Sequence, residues 1–377
     1  MNEPVMEDRK GTAEGRAARK EAPIRIVKRA ELSNNMRLVL RLLSFLLALV
    51  AGGVFILFLG HNPLEVYAAM VRGCVKNAGS MRATVRFIIP LLITSLGITL
   101  AFKMKFWNIG AEGQVIMGAI FASYFALFHD NWPHWLLMAV MFLAGMVGGG
   151  LWGLLPALFK VKFGTNETLF TLMLNYIALY IIVFLRDGPW ADPKSSGFPK
   201  IAAFSKNAQL DKVFGVHIGW LIALVLVVLV FVYLRYSKHG YEISVVGESM
   251  ATATYAGMNV KKIVLRTMFL SGAIAGVAGM TQAAGSDTTL ATGVAGGVGF
   301  TAIIVAWLAQ LNPWGILLVS TLFGMMEKGS SAVESAFKLP AESADILQGI
   351  ILFFVLGTEF FIRYRFAVRR KRKEGGA

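Results

Sequence analysis

Long apolar runs constrain this chain more than any other feature of its sequence. Residues 38–59, 87–102, 134–159, 218–234, 263–284 and 346–362 are almost wholly apolar, and shorter runs of the same kind lie between them. A run of about 20 apolar residues matches the hydrocarbon thickness of a bilayer. Inside lipid each backbone N–H and C=O needs a partner within the protein, which leaves helices or closed barrels. Barrel strands alternate over about ten residues, and these runs do not alternate. With 56% hydrophobic and 16% charged residues, against roughly 25% charged in a soluble domain, the chain reads as an all-α polytopic membrane protein. Counting the runs at 38–59, 87–102, 113–128, 134–159, 165–185, 218–234, 263–284, 300–311, 314–326 and 346–362 predicts about ten transmembrane helices. The successive short segments 300–311 and 314–326 are where broken or re-entrant helices are expected.

Charge sets the orientation. The net charge of +15 would suggest nucleic acid in a soluble protein, but here the basic residues collect in loops between spans and at both ends, so no nucleic-acid partner is inferred. Residues 1–35, a polar arm read as disordered or lying on the surface, and residues 363–377, an arginine-rich tail, flank an apolar membrane-embedded body over 36–362. Positive loops stay in the cytoplasm and meet anionic lipid, so both termini are expected there. The single cysteine, Cys74, excludes an internal disulfide, and the five histidines form no metal-binding pair. No metal or other cofactor is expected on this chain.

Between two of the apolar runs lies Trp107-Asn108-Ile109-Gly110-Ala111-Glu112-Gly113-Gln114. A carboxylate and two amides between membrane-length segments need protein, water or a cavity around them. The octamer either re-enters or begins a helix near the cytoplasmic end of a transport path, or forms a tight turn whose glycines permit close packing. Further on, Thr165-Asn166-Glu167 has the composition of a helix N-terminus, with a capping side chain and an acid in the first turn. Asn175, two turns deeper, is an amide in hydrocarbon and needs a partner helix or a polar cavity. Gly145, Gly148, Gly149, Gly150 and Gly153, and later Gly272, Gly276 and Gly279, predict close helix packing. Phe102, Trp107 and Phe170 are candidates to stack on a ring, though in a chain with 27 phenylalanines packing is the commoner use of an aromatic.

Two loops stand out. Residues 186–216, rich in proline, glycine and serine, predict an irregular external loop. Residues 240–262 are amphipathic and carry a short helix over 248–255, a compact cytoplasmic knob able to insert into another protein or to lie in the headgroup layer.

The chain has no Gly-x-x-x-x-Gly-Lys-Ser/Thr run, no nucleophile with an orienting base, and no carboxylate pair at catalytic spacing. It is not read as an enzyme. Transport energy then comes from an ion gradient or from a separate ATPase, and Glu112, Glu167, Asp287 and Glu359 all lie near predicted helix ends, which favours the ATPase. An ion-driven carrier for a small polar solute, or a non-transporting membrane scaffold, are the competing classes.

The octamer, the Thr165–Glu167 and Met173–Ala178 segment, and the run from Tyr241 to Lys261 with the helix after it resemble, in this order, three motifs of bacterial ABC importer permeases. The likeness is to the branched-chain amino acid and ribose group, closest to its nucleoside and simple-sugar branch, and extends over roughly residues 85–325. It implies a cytoplasmic ATP-binding subunit that uses ATP, a second homologous permease subunit, an extracytoplasmic solute-binding lipoprotein or periplasmic protein, and a place in the bacterial inner membrane. By the same likeness the 240–262 loop holds the coupling helix, with Tyr241, Glu242, Gly247, Glu248, Tyr255 and Gly257 at the ATPase. Asn108, Glu112 and Gln114 are assigned to the cytoplasmic gate and Asn175 to the solute, a nucleoside or simple sugar.

Overall fold

The computed structural model describes residues 24–28, 33–195 and 197–338, then 343, 346–347, 349–350, 353–354, 357–358, 362 and 364–368. The chain divides into two compact units, residues 1–50 with 353–377, and residues 51–352. In the first, strand β1 (Ile24–Lys28) pairs antiparallel with a strand near the other end of the chain, Tyr364–Val368, with Ile24 opposite Val368. Helix α1 (Asn34–Phe58) begins in this unit, and its Ser44 hydroxyl donates to the Phe354 carbonyl at 2.6 Å. The remainder of the predicted arm and tail lies outside the described residues.

The larger unit is helical. Asn62 and Asn77 cap α2 (Pro63–Val75) and α3 (Ala78–Lys103), each accepting a backbone N–H of the first turn. After the octamer come α4 (Ala111–Phe128), α5 (His134–Phe163) and α6 (Glu167–Asp187). Asn166 caps α6 by accepting from Leu169 N–H at 3.2 Å, and Glu167 reaches back to Lys160 at 2.7 Å. An irregular loop with a small hairpin, β2 (Lys212–Val213) and β3 (Val216–His217), leads to α7 (Gly219–Tyr236). Then follow α8 (Lys238–Glu248), α9 (Met250–Tyr255) and α10 (Val260–Thr281), which widens into a π turn over Gln282–Asp287. Helices α11 (Val298–Leu308) and α12 (Pro313–Phe337) complete the unit; the Tyr364–Val368 strand is β4.

The centre is a three-helix contact of α4, α5 and α10 made almost without side chains. A Cβ on Gly276 would stand 3.0 Å from the Gly145 carbonyl carbon and 3.1 Å from the Gly149 Cα, and one on Gly149 would stand 2.7 Å from the Gly276 Cα. Gly118 of α4 meets Gly276 from the other side, its own Cβ position 2.7 Å from the Gly276 carbonyl carbon. Small residues at these positions let backbones touch, and the rest of the core is apolar, including Leu96, Met141, Met268 and Met280.

The 188–218 loop is stitched onto the π turn and the residue after it. Leu210 N–H donates to the Ala284 carbonyl at 3.0 Å and Phe204 N–H to the Thr288 carbonyl at 2.8 Å. A helical carbonyl diverted to an outside donor goes with the wider turn. His217 is buried here, its ring pressed against Gly219 and Gly285, where a Cβ would come within 2.6 Å and 2.5 Å of it. Burial, with Arg86 and Lys212 nearby, pulls its imidazole down to about 4.

The expectation of about ten spans is corrected. Among the described residues six helices are long and apolar enough to cross a membrane: α3, α4, α5, α6, α7, and α10 with its π turn. A seventh arises only if Leu42–Phe58 and Pro63–Val75, bent by 110°, count as one broken span. The predicted eighth span is α11, 11 residues long and hence about 16 Å, half a bilayer. The ninth is α12, long enough but polar from Glu327 through Lys328 to Glu334. The predicted span at 346–362 lies largely outside the described residues. Apolar runs count as spans on paper, but several of these segments are half-helices or broken pieces.

Candidate functional site

The octamer is a break between α3 and α4 sewn shut by side chains. Asn108 and Gln114, both buried, bond to each other twice at 3.2 Å, and Asn108 Oδ1 also accepts Gly110 N–H at 3.0 Å. From α6, Asn175 Oδ1 accepts Gly113 N–H at 2.9 Å and its Nδ2 donates to the Ile109 carbonyl at 2.9 Å. Thr171, one turn earlier on the same face, accepts Ile109 N–H at 3.2 Å. The first N–H groups of a helix have no partners within it; here Asn175 of α6 accepts the Gly113 N–H, and Thr171 and Asn108 accept those of Ile109 and Gly110 just before the helix. Asn175 therefore has both ends of its amide bound to backbone.

Glu112, in the first turn of α4, reaches a second helix start. Its Oε1 accepts Gly297 N–H at 2.8 Å and its Oε2 accepts Gly299 N–H at 2.7 Å. Gly297 takes a left-handed φ of +81° just before α11. A Cβ on Gly299 would stand 2.8 Å from the Glu112 Cβ, so only glycine lets the two helix ends approach this closely. A carboxylate between two helix N-termini sits where both dipoles are positive. The anion site that such paired helix starts create is thus filled by the protein's own side chain. Nearby, Trp107 stacks on Trp307 of α11 with centroids 5.6 Å apart, and both rings meet Phe102. Phe170 stacks instead on Phe159 at 4.7 Å.

The 240–262 stretch folds as two helices where one, over 248–255, is expected, because Ser249 ends α8 and its hydroxyl caps α9 through Thr252 N–H at 3.2 Å. Tyr241, Glu248, Tyr255 and Gly257 are exposed, Tyr255 at 96%, and Gly257 turns the chain with φ of +74°. Glu242 and Gly247 face inward. Arg266 on α10 donates to Glu242 at 2.8 Å and holds its carboxyl below the usual range. Gly247 is buried against the end of α3, where a Cβ would meet the Lys103 carbonyl and stand 3.3 Å from the Met104 Cα. The knob is thereby seated on the segment that leads into the octamer.

Sequence reasoning missed Thr171, Gly297, Gly299, Trp307 and Arg266. The four-residue spacing of Thr171 and Asn175 on one helix face was a usable signal for the first. The others act across 24 to about 200 residues of chain, with nothing local to mark them. Among the described residues no group of three or more His, Cys, Asp or Glu could hold a metal ion.

Residues 80–356 match the family described as branched-chain amino acid transport system / permease component. The chain is 32% identical to a glucose ABC transporter permease protein of Haloferax volcanii, over 89% of this chain and 91% of that one. It is 29% identical to a guanosine ABC transporter permease protein of Bacillus subtilis, over 90% and 97% of the two chains. It is 27% identical to a nucleoside ABC transporter permease protein of Lactococcus lactis, over 86% and 92%. A multi-pass body, a sewn break between spans and a family match over most of the chain lead to one assignment: the protein belongs to the branched-chain amino acid transport system permease family, as a membrane permease subunit of an ABC transporter.

Proposed function

We propose that this permease subunit carries a nucleoside or a simple sugar into the cytoplasm across a bacterial inner membrane, driven by ATP hydrolysis in a partner subunit docked on α8 and α9. The solutes named for its relatives, glucose, guanosine and nucleosides, support that class. The observation that carries the mechanism is the carboxylate bridge from Glu112 to the start of α11. Asn108, Glu112 and Gln114 form the gate, with Asn175 holding the break against α6 and moving with it when solute passes. Tyr241, Glu248, Tyr255 and Gly257 meet the ATPase, and Glu242 and Gly247 tie that surface to α10 and α3. A second permease and an extracytoplasmic solute-binding protein complete the assembly. Basic residues near both chain ends, and the pairing of Ile24–Lys28 with Tyr364–Val368, support termini on one side, the cytoplasm.

The test is co-purification from mildly extracted membranes, with uptake measured in proteoliposomes. The native chain is expected to bring down a cytoplasmic ATPase and to accumulate labelled guanosine or glucose only with ATP. Glu248→Arg is expected to lose the ATPase. An ATPase-free native sample that still takes up solute on an ion gradient would overturn the proposal.

A further inference from the structure

Asn175 uses both ends of its amide on the octamer backbone, so a polar partner for the solute has to be sought elsewhere. The π turn that ends α10 offers one. Gln282 and Asp287 stand at its two ends, and Gln282 Nε2 donates to Asp287 Oδ1 at 3.0 Å. The second carboxylate oxygen, Oδ2, accepts no hydrogen bond among the described residues, yet it is not sealed from solvent. No Lys, Arg or His among the described residues forms an ion pair with Asp287. Asp287 is also the last residue of the α10 span. A half-buried carboxylate there, with no cation and one oxygen unoccupied, is costly unless water or a ligand completes it.

The backbone around that carboxylate is pinned. Thr288, directly after it, has a φ of +52°, a left-handed conformation that a β-branched residue takes only under constraint. The constraint comes from the 188–218 loop. Phe204 N–H donates to the Thr288 carbonyl at 2.8 Å, and the Thr289 hydroxyl donates to the Ile201 carbonyl at 3.1 Å. Ser286 Oγ, just before Asp287, lies 3.2 Å from His217 Nε2. Widened turns and strained residues gather at functional sites, and here both fix one carboxylate and its amide neighbour while leaving Oδ2 unbonded. Beyond it, residues 288–297 form no helix and lead to Gly297, whose N–H Glu112 accepts. Irregular backbone in a membrane-embedded chain is tolerated where protein buries it or where it lines a watery cavity, and broken helices of this kind hold polar solutes.

We propose that Asp287 and Gln282 bind two neighbouring hydroxyls of the solute, the group that the ribose of a nucleoside and a hexose share. One hydroxyl donates to Asp287 Oδ2, a charge-assisted bond, and the next accepts the second N–H of Gln282 Nε2. A cation would satisfy the carboxylate but leave that N–H facing a like charge. Solute bound here holds one end of the 288–297 segment while Glu112 holds the other, which ties occupancy to the gate. The inference rests on the reading of the protein as a nucleoside or sugar importer.

Binding of labelled uridine and glucose to the purified complex of permeases and ATPase tests it, beside their 2′,3′-dideoxy and 2,3-dideoxy counterparts. The native complex is expected to bind uridine or glucose at least tenfold more tightly than the matching dideoxy compound. Asp287→Asn should weaken binding of the hydroxylated solute at least tenfold and leave the dideoxy compound unchanged, a selectivity that a purely structural role would not produce. Gln282→Met, which removes the donor and keeps the length, should give a smaller loss of the same kind. A native complex indifferent to the hydroxyls, variants that weaken both compounds alike or neither, or ATP-driven uptake of a solute that the complex does not bind would each overturn the site and leave the importer reading in place. ATP-driven uptake of neither uridine nor glucose by the native transporter would overturn that reading and the site with it.

Discussion

Two interfaces hold this permease together, and they are built on opposite principles. Where α4, α5 and α10 cross, Gly118, Gly145, Gly149 and Gly276 bring backbones into contact with no side chain between them. Where α4 begins, the same helix is held to α6 and α11 by Asn175, Thr171 and Glu112, through hydrogen bonds of 2.7 to 3.2 Å. The glycine contact has one close-packed arrangement and loses its dispersion energy with any separation. The polar contact is made of discrete bonds that can be exchanged for water or solute. One helix thus carries a close-packed middle, around Gly118, and a start held by exchangeable bonds, the combination the proposed gate requires.

Gly276→Leu should do the most damage to this scheme. With no space for a Cβ between Gly145 and Gly149, α5 and α10 must part, at a cost of about 3 kcal/mol or more; the yield of monodisperse protein after extraction measures it. Glu112→Ala should come next. It leaves the part-buried Gly297 and Gly299 N–H groups without their carboxylate acceptor, a loss of about 2 kcal/mol, read as a lower melting temperature in detergent. Asn175→Leu removes two bonds to the octamer but retains Thr171, and should cost about 1–2 kcal/mol in the same measurement. If Asn175→Leu proved as damaging as Gly276→Leu, the contrast between a rigid glycine contact and a releasable helix start would fail.

The smallest expected effect concerns His217, a buried polar group outside both interfaces. Its folded value is about 4, below the ordinary 6.5, so the unfolded chain gains a proton that the folded one refuses. Stability is therefore full above pH 6.5, falls between 6.5 and about 4, and levels off below that. At pH 5.5 the loss should be about 1 kcal/mol. Melting temperatures from pH 7.5 to 5 should show this slope in the native protein and a flatter profile in His217→Gln.

What could be read in the sequence follows the range of each interaction. The glycine spacings in α5 and α10, the Asn166 cap and the polar break at Trp107–Gln114 are local patterns, and each is found in the fold. The span count failed because hydropathy reports burial, and α11 is buried in part by protein at half a bilayer's length. The roles of Glu112, Glu242 and Gly247 depend on partners at Gly297, Arg266 and Lys103, which no pattern around them announces. An acid at the start of an apolar segment marks a constraint there; only the fold reveals which second helix it holds.

The measurement that bears most directly on the proposed gate is solute uptake per ATP hydrolysed in proteoliposomes holding the complete transporter, comparing the native chain with Glu112→Gln. The amide keeps the side chain's size and one acceptor but removes the charge held between the two helix starts. Hydrolysis by the ATPase should continue, and uptake should fall at least tenfold at equal amounts of folded protein. Uptake unchanged by Glu112→Gln would contradict the account and reduce the bridge between α4 and α11 to a static cap.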